Sequence, residues 1–213
     1  MCNKLLNHRN AVIIANGCFP THDMALSVLR KSVYTVCCDG AANDFIARGE
    51  VPDAIVGDCD SISEENRMRF ADILHRDPDQ ETNDLTKAIM FCASRGRRDI
   101  VILGGTGKRE DHTLGNISLL AEYVKIANVA MITDYGIFKP IVENTVFESF
   151  RGQQISIFAM DRQPISSNGL KYPLNKRVLN GWWEGTLNET LGEKFTIETS
   201  GVTLVFFAFE GKL

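Results

Sequence analysis

Short apolar runs that end in turn residues recur between residues 11 and 132, and segments with helical spacing separate them. The apolar runs cover residues 11–15, 34–38, 54–56, 100–103 and 129–132. Helical spacing predicts helices over residues 24–30, 41–48 and 64–70, from Asn83 onward and from Leu114 onward. Continuous apolar strands that alternate with helices are typical of a parallel sheet covered on both faces. This part of the chain is therefore predicted to adopt an α/β fold.

The pattern changes near Tyr135, after which the sequence shows no helical stripe. Short alternating segments follow, such as the one around Ile157, and residues 202–209 form a nearly continuous apolar run. Gly, Asn and Pro residues separate these segments, which is typical of a small antiparallel sandwich. The predicted division is residues 1–136 for an open, mainly parallel, Rossmann-like sheet with flanking helices, and residues 137–213 for a smaller all-β sandwich.

Composition excludes several classes of function. The net charge is -4, so no overall basic field would attract nucleic acid. No stretch approaches the ~18 apolar residues of a membrane span, and the apolar run at residues 11–15 is too short for a signal peptide. The six cysteines form no CxxC pair, and with four histidines a zinc site is not expected. These features predict a soluble, cytoplasmic protein with reduced thiols.

Aspartates follow the predicted strands one after another. Asp39 ends the second apolar run, Asp58 and Asp60 follow the third, Asp84 opens a helix, and Asp111 follows the fourth run. Ligands of open parallel sheets bind beyond the carboxyl ends of the strands, so these carboxylates should converge. Converging carboxylates need a cation, and oxygen ligands together with phosphates suit Mg²⁺. The alternative, that each aspartate only caps a turn or helix, stays open for each residue taken alone.

A glycine-rich loop, GGTGKR at residues 104–109, lies between a predicted strand and a predicted helix. Backbone N–H groups at such a position can hold an anion, and Lys108 and Arg109 add positive charge. The loop matches neither GxxxxGK[ST] nor GxGxxG, and a plain tight turn is an equally good interpretation. His112 could act as a general acid or base, or simply cap the helix.

Two adjacent tryptophans, Trp182 and Trp183, lie in the predicted sandwich. Side chains of neighbouring strand residues point to opposite faces, so at most one is expected to be fully interior. The other could stack on a flat, cationic ring.

Five motifs, in order, resemble the thiamine pyrophosphokinase family. They are VCCDGAAN at residues 36–43, PDAIVGDCDSI at 52–62, DQETNDLTKAI at 79–89, GGTGKREDHTLGNI at 104–117 and GLKYPLN at 169–175. The resemblance implies an enzyme that transfers the pyrophosphoryl group of ATP to the hydroxyl of thiamine, giving thiamine diphosphate and AMP, with Mg²⁺ as cofactor. It also implies a homodimer whose active sites join the α/β part of one subunit to the β part of the other.

By position in these motifs, the resemblance implies three groups of site residues. Catalytic roles fall on Asp58, Asp60, Asp84 and Asp111, of which the first three would hold the metal. The nucleotide would be bound by Asp39, Gly40, Gly105, Lys108, Arg109 and His112. Thiamine would be bound by Gln80, Asp84, Trp182 and Trp183.

Three residues depart from the family pattern. Asn83 stands where the family usually has Thr, Lys108 replaces a loop Gly, and Leu187 stands where many members carry Ser. The departures at Asn83 and Leu187 leave open a nucleotide- or thiamine-binding sensor that has lost turnover. The acidic cluster taken alone would also permit a metal-dependent phosphohydrolase.

Overall fold

A ten-stranded sheet dominates the computed structural model, which describes residues 11–211. The strands, in chain order, are β1 (Ala11–Ile14), β2 (Tyr34–Cys38), β3 (Ala54–Gly57), β4 (Leu74–Arg76), β5 (Asp99–Leu103), β6 (Asn128–Ile132), β7 (Gly136–Ile141), β8 (Thr145–Glu148), β9 (Gln153–Ala159), β10 (Pro164–Asn168), β11 (Arg177–Val178), β12 (Asn188–Glu189), β13 (Lys194–Glu198) and β14 (Thr203–Gly211). The large sheet has the order β12-β9-β14-β7-β6-β5-β1-β2-β3-β4.

The half of this sheet from β6 to β4 is parallel throughout. Five helices connect its strands: α1 (Asp23–Arg30), α2 (Ala41–Ala47), α3 (Glu64–Arg69), α4 (Asp84–Ser94) and α5 (Glu110–Tyr123). β1 and β3 are buried along their whole length, as expected for strands with helices on both faces. The predicted α/β arrangement is confirmed, and the loops that carry the candidate residues from Asp39 to His112 leave the carboxyl edge of this half.

Helix α4, whose first residue is the candidate Asp84, begins where the sequence predicts. Asn83 is the N-cap of α4, and its Oδ1 accepts hydrogen bonds from the backbone N–H and the hydroxyl of Thr86 at 2.9 and 2.8 Å. The short strand β4 was not predicted, because only one of its three residues, Leu74, is apolar.

The strands after residue 135 extend the same sheet in antiparallel fashion. β7 pairs with β6 through Met131–Phe138 and Ile132–Ile137, and β14 and β9 continue the ladder. A separate C-terminal sandwich is therefore not confirmed. The four remaining strands form a second antiparallel sheet in the order β11-β10-β13-β8.

An aromatic cluster packs the second sheet against the extension of the first. The ring centroid of Phe147 in β8 lies 5.1 Å from that of Phe195 in β13 and 5.0 Å from that of Phe207 in β14. All three side chains are buried. Because the large sheet crosses residues 136 and 137 without a break, the division at this point stays a prediction.

The helices in the described range 11–211 are too short or too polar to cross a lipid bilayer.

Candidate active site

The acidic loop after β3 is a turn and not an extended segment. Cys59 has φ 66°, so its backbone is left-handed, and the backbone N–H of Asp60 donates to Asp58 Oδ1 at 3.2 Å. Asp58 and Asp60 nevertheless face the same region. The turn, and not an extended backbone, therefore brings the two carboxylates to the same side.

Asp39 lies beside this turn and is 2% exposed. Its carboxylate accepts backbone hydrogen bonds from Ser61 at 2.9 Å and from Ile62 at 3.2 Å. Burial raises the pKa of Asp39, and the charges of neighbouring aspartates act in the same direction. Asp39, Asp58 and Asp60 each offer a carboxylate oxygen within 4.8 Å of the others. Three hard oxygen ligands so close together fit a divalent cation such as Mg²⁺.

The two carbonyl groups of this turn are held from outside. The guanidinium of Arg67 in α3 donates to the carbonyl of Cys59, and Arg76 Nε in β4 donates to the carbonyl of Asp58 at 3.3 Å. On the inner side, Gln80 Nε2 donates to Asp58 Oδ2 at 3.1 Å, and this bond is the main cause of a lowered pKa of Asp58. These contacts hold the turn in place, and the Gln80 hydrogen bond favours the ionised form of Asp58.

Asp84 stands at the start of α4, next to the acidic turn. A Cβ atom added to Gly57 would lie 2.7 Å from Asp39 Cβ and 3.0 Å from Asp84 Oδ1. Only a residue without a side chain lets these two aspartates approach from either side. Asp84 Oδ1 also lies 3.3 Å from the ammonium of Lys87.

The glycine-rich loop runs beside the segment that follows β1. The backbone N–H of Gly17 donates to the carbonyl of Gly104 at 2.7 Å, and that of Cys18 donates to the carbonyl of Thr106 at 2.8 Å. Gly104 and Gly107 have φ of 66° and 93°, a backbone that side chains rarely allow. The loop is thus a defined structure held by backbone hydrogen bonds.

The charged residues after this loop are exposed. Arg109 forms two hydrogen bonds with Asp111, of 2.5 and 3.1 Å, and these bonds lower the pKa of the Asp111 carboxyl and raise that of Arg109. Asp111 Oδ1 also accepts from the backbone N–H of His112. Asp111 therefore holds Arg109 and the first turn of α5, and its carboxylate is outside the aspartate group described above.

A cleft of about 460 Å³ separates the acidic turn from the glycine-rich loop. Of the predicted residues, its lining includes Asp58, Gln80, Asp84, Gly105, Lys108, Arg109 and His112. Asp39, Gly40, Asp60 and Asp111 flank this lining without belonging to it. The cleft has carboxylates on one wall and exposed cations on the other, which suits a polyphosphate bound together with a metal ion.

The sequence analysis assumed that the two tryptophans lie in a strand, and this assumption was wrong. Trp182 and Trp183 lie in a short 3₁₀ turn, Trp182–Gly185, and are 40% and 77% exposed, so neither is interior. Trp182 meets the ring of Phe158 edge-on at 5.9 Å. Neither ring lines the cleft formed by the described residues.

Two family models together match most of the chain. The model described as thiamin pyrophosphokinase, catalytic domain, matches residues 25–132, and the model described as thiamin pyrophosphokinase, substrate-binding domain, matches residues 136–206. The chain belongs to the thiamine pyrophosphokinase family. The first match ends at the last residue of β6, and the second begins at the first residue of β7.

Curated relatives agree with this assignment. The chain is 33% identical over 119 residues to thiamin pyrophosphokinase 1 of Caenorhabditis elegans, covering 52% of this chain and 49% of the relative. It is 34% identical over 137 residues to the thiamine pyrophosphokinase of Bacillus subtilis, covering 60% and 64%. The matched stretch spans about half the length of the first of these relatives.

Solved structures share the fold over nearly the whole chain. The thiamin pyrophosphokinase from Candida albicans superposes with a TM-score of 0.79 at 20% identity, covering 97% of this chain and 91% of that one. The Bacillus subtilis structure gives 0.76 at 22% identity, covering 93% and 99%. At these identities the likeness concerns the fold.

Several lining residues were not predicted. Asn16 Oδ1 accepts a hydrogen bond from the Lys108 ammonium at 3.2 Å, and Asn116 Nδ2 donates to the carbonyl of Gly105 at 2.9 Å. Lys87 also lines the cleft, next to Asp84. Lys87 carried a signal in the sequence, because it interrupts the apolar stretch of α4. Asn16 and Asn116 carried no such signal, because their roles depend on contacts between distant segments.

The family departure at Asn83 has a structural partner. Asn83 Nδ2 reaches Asn116 Oδ1 at 3.5 Å, and Asn116 in turn holds Gly105. Asn83 Oδ1 meanwhile caps α4. A threonine here would keep the cap but lose the amide N–H donor that reaches Asn116, so the asparagine adds a weak link between the acidic wall and the glycine-rich loop.

Asn83→Thr is expected to leave the free energy of unfolding within ~0.5 kcal/mol of wild type, because Thr is also a good N-cap. If the cleft takes ATP as a substrate, the KM for ATP should rise, by no more than about fivefold, because one weak hydrogen bond is lost. Steady-state kinetics and thermal melts measure the two effects. Asn83→Ala is the matched control and should lose ~1 kcal/mol as well, because it removes the cap. An unchanged KM in both variants would contradict the link.

At the other two departures, the structure gives only local detail. Lys108 contacts Asn16 as described, and Leu187 has φ 61° and is 73% exposed. A left-handed backbone at an exposed leucine is uncommon.

Proposed function

We propose that this chain is an ATP-dependent diphosphotransferase that converts thiamine and ATP into thiamine diphosphate and AMP. The observation that carries this proposal is the cleft with carboxylates on one wall and the glycine-rich loop with its cations on the other, in a chain that matches both family models. An acidic group without the loop would favour a phosphohydrolase, and the loop without the acidic group would favour a binding protein.

In this proposal the hydroxyl oxygen of thiamine attacks the β-phosphorus of ATP. The new O–P bond forms as the bond between that phosphorus and the oxygen bridging to the α-phosphorus breaks, and AMP leaves with that oxygen. Asp84 accepts the hydroxyl proton, since its carboxylate lines the cleft beside the acidic turn. Such transfers depend on positioning and charge neutralisation more than on covalent help from the protein.

The remaining cleft residues position the substrates. Lys108, Arg109 and His112 would contact the phosphates, and Gln80, which already holds Asp58, would contact thiamine. Asp39, Asp58 and Asp60 fit a metal ion by their grouping, and the resemblance adds Asp84 as a ligand. Mg²⁺ bound there would neutralise the charge of the phosphates during transfer.

The deciding experiment is an incubation of the chain with ATP, Mg²⁺ and thiamine, followed by chromatography of the products. AMP and thiamine diphosphate formed in equal amounts, and only with thiamine present, support the proposal. ADP as the matched product contradicts the proposed transfer. Phosphate released without thiamine supports the phosphohydrolase, and binding without products supports the sensor.

We further propose a homodimer whose sites use the tryptophan turn of the partner subunit. Trp183, Tyr172 and Leu187 are 77%, 62% and 73% exposed, while neither tryptophan lines the cleft of its own subunit. A cytoplasmic location also fits the five described cysteines, which are all free thiols.

A subunit-mixing experiment tests the shared site. Asp58→Asn and the double variant Trp182→Ala/Trp183→Ala are each expected to be weakly active alone. Mixed and re-equilibrated, they should regain activity, because some heterodimers combine an intact acidic turn with intact tryptophans. Activity that stays at the sum of the two preparations, with dimers present by light scattering, would contradict a shared site.

A further inference from the structure

The side chain of Lys87 is buried near the N-terminus of α4, a place where a positive charge is unfavourable. Its side chain is 3% exposed, and it ends the first turn of α4, where the helix dipole disfavours a cation. Removing an ammonium from water costs several kcal/mol unless partners replace its hydration. Its neighbours in α4, Leu85, Ala88 and Ile89, are apolar and buried. A neutral side chain of similar length would fill this place at lower cost.

The partners of Lys87 do not account for that cost. An ammonium has three N–H donors. Among the residues that the structure describes, the ammonium makes one hydrogen bond, to Asp84 Oδ1 at a long 3.3 Å. Asp39 lies close to Asp84, so the nearby carboxylates favour the charged form of Lys87 without supplying its remaining hydrogen bonds. Two donors therefore remain for a further acceptor.

The position of Lys87 indicates where that acceptor comes from. Lys87 lines the cleft together with Asp58 and Asp84, and its charge contributes to lowering the pKa of Asp58. The other cationic side chains of the lining, Lys108 and Arg109, are exposed and belong to the glycine-rich loop on the opposite wall. A ligand that spans the cleft meets exposed cations at one end and a single buried ammonium at the other.

We propose that Lys87 binds an anionic phosphate oxygen of the nucleotide on the acidic side of the cleft. This inference rests on the proposed function and assigns a phosphate contact to a residue outside the predicted site. A compact ammonium suits a phosphate oxygen, and because the Lys87 side chain is already buried, its contact with a ligand costs little further side-chain entropy. When a nucleotide is absent, the same ammonium offsets part of the charge of Asp84.

The test is equilibrium binding measured by calorimetry, which does not depend on turnover. Lys87→Met is expected to weaken the binding of ATP, and of inorganic tripolyphosphate, roughly 30-fold, as for a lost hydrogen bond between charged groups. Binding of adenosine should stay within about twofold, because no phosphate is present. Lys125→Met is the matched control: Lys125, just after the end of α5, pairs with Glu122 at the same i, i+3 spacing but is exposed and is not part of the cleft lining.

A double-mutant cycle separates phosphate binding from a purely structural ion pair. If Lys87 only pairs with Asp84, Lys87→Met should have no effect on phosphate binding in an Asp84→Asn background. We expect the loss of affinity to persist there. Tripolyphosphate affinity unchanged in both backgrounds, with cooperative melting retained, would overturn the proposal. Lys87→Gln replaces Lys87→Met should the latter not fold, and the same outcomes apply.

The wild-type chain distinguishes this proposal from the proposed function. A chain that binds ATP and tripolyphosphate but forms no AMP would overturn the function and leave the Lys87 contact supported by the variants. A chain that binds neither would overturn both.

Discussion

Asp58→Asn is expected to lower the rate of AMP formation at least ~100-fold, the loss typical when a group that stabilises transition-state charge is removed. Asp58 belongs to the aspartate group that fits a metal ion and lines the cleft. Asparagine has nearly the same shape, and its oxygen can still accept the hydrogen bond from Gln80, so the fold should be retained. Initial rates with saturating ATP and thiamine, together with a thermal melt, measure both expectations.

Asp72→Asn provides the matched control for this change. Asp72 lies in the short turn Ala71–Ile73, is exposed, and is not part of the cleft lining. It changes the net charge by the same amount and should leave the rate unchanged. A near-wild-type rate for Asp58→Asn would remove Asp58 from the site, and equal losses in both variants would point to a general charge effect.

Gly17→Ala is expected to destabilise the protein by about 3 kcal/mol, the upper end of the usual cost of overpacking. An added Cβ would lie 2.3 Å from the carbonyl oxygens of both Gly104 and Thr106. These are backbone atoms of the glycine-rich loop, which cannot move aside as a flexible side chain can. The affinity for ATP should fall as well, because the loop must shift to admit the methyl group. Denaturant unfolding and calorimetry with ATP measure the two effects.

Gly115→Ala is the contrasting control. Gly115 lies inside α5, and apart from the adjacent backbone of that helix no atom stands within 4 Å of the position of an added Cβ. Alanine there should stabilise the protein by about 0.5–1 kcal/mol, because glycine is a poor helix former. A Gly17→Ala variant as stable as wild type would show that the loop is not packed against residue 17 in solution.

Strand and helix positions in the first part of the chain could be predicted because their signals are local. Continuous apolar runs marked strands such as β2, and Asn83 marked the start of α4. The arrangement after residue 135 could not be predicted in the same way. A strand with alternating apolar residues has the same sequence pattern whether it belongs to a separate sandwich or extends an existing sheet. Only the pairing of β7 with β6 shows that these strands extend the large sheet.

The site divides along the same line. The convergence of the aspartates at one edge of the sheet could be predicted from the sequence, because parallel strands bring their carboxyl ends to the same edge. Which aspartates form one group could not be predicted. In the structure Asp39 lies with Asp58 and Asp60, while Asp111 pairs with Arg109. Lys87 interrupts an apolar stretch of α4, but the sequence alone does not show whether its side chain is buried or solvated, so it was not among the predicted site residues.

The sequence by itself determined the α/β order of elements in the first part, the family, and the motifs that carry the carboxylates and the glycine-rich loop. These depend on side-chain periodicity and residue order, which are written along the chain. The tertiary structure alone decided the single continuous sheet, the left-handed turn that aims Asp58 and Asp60 together, the burial of Lys87, and the exposure of Trp183. Those features depend on distances between segments far apart in sequence, and such distances are fixed only when the chain packs.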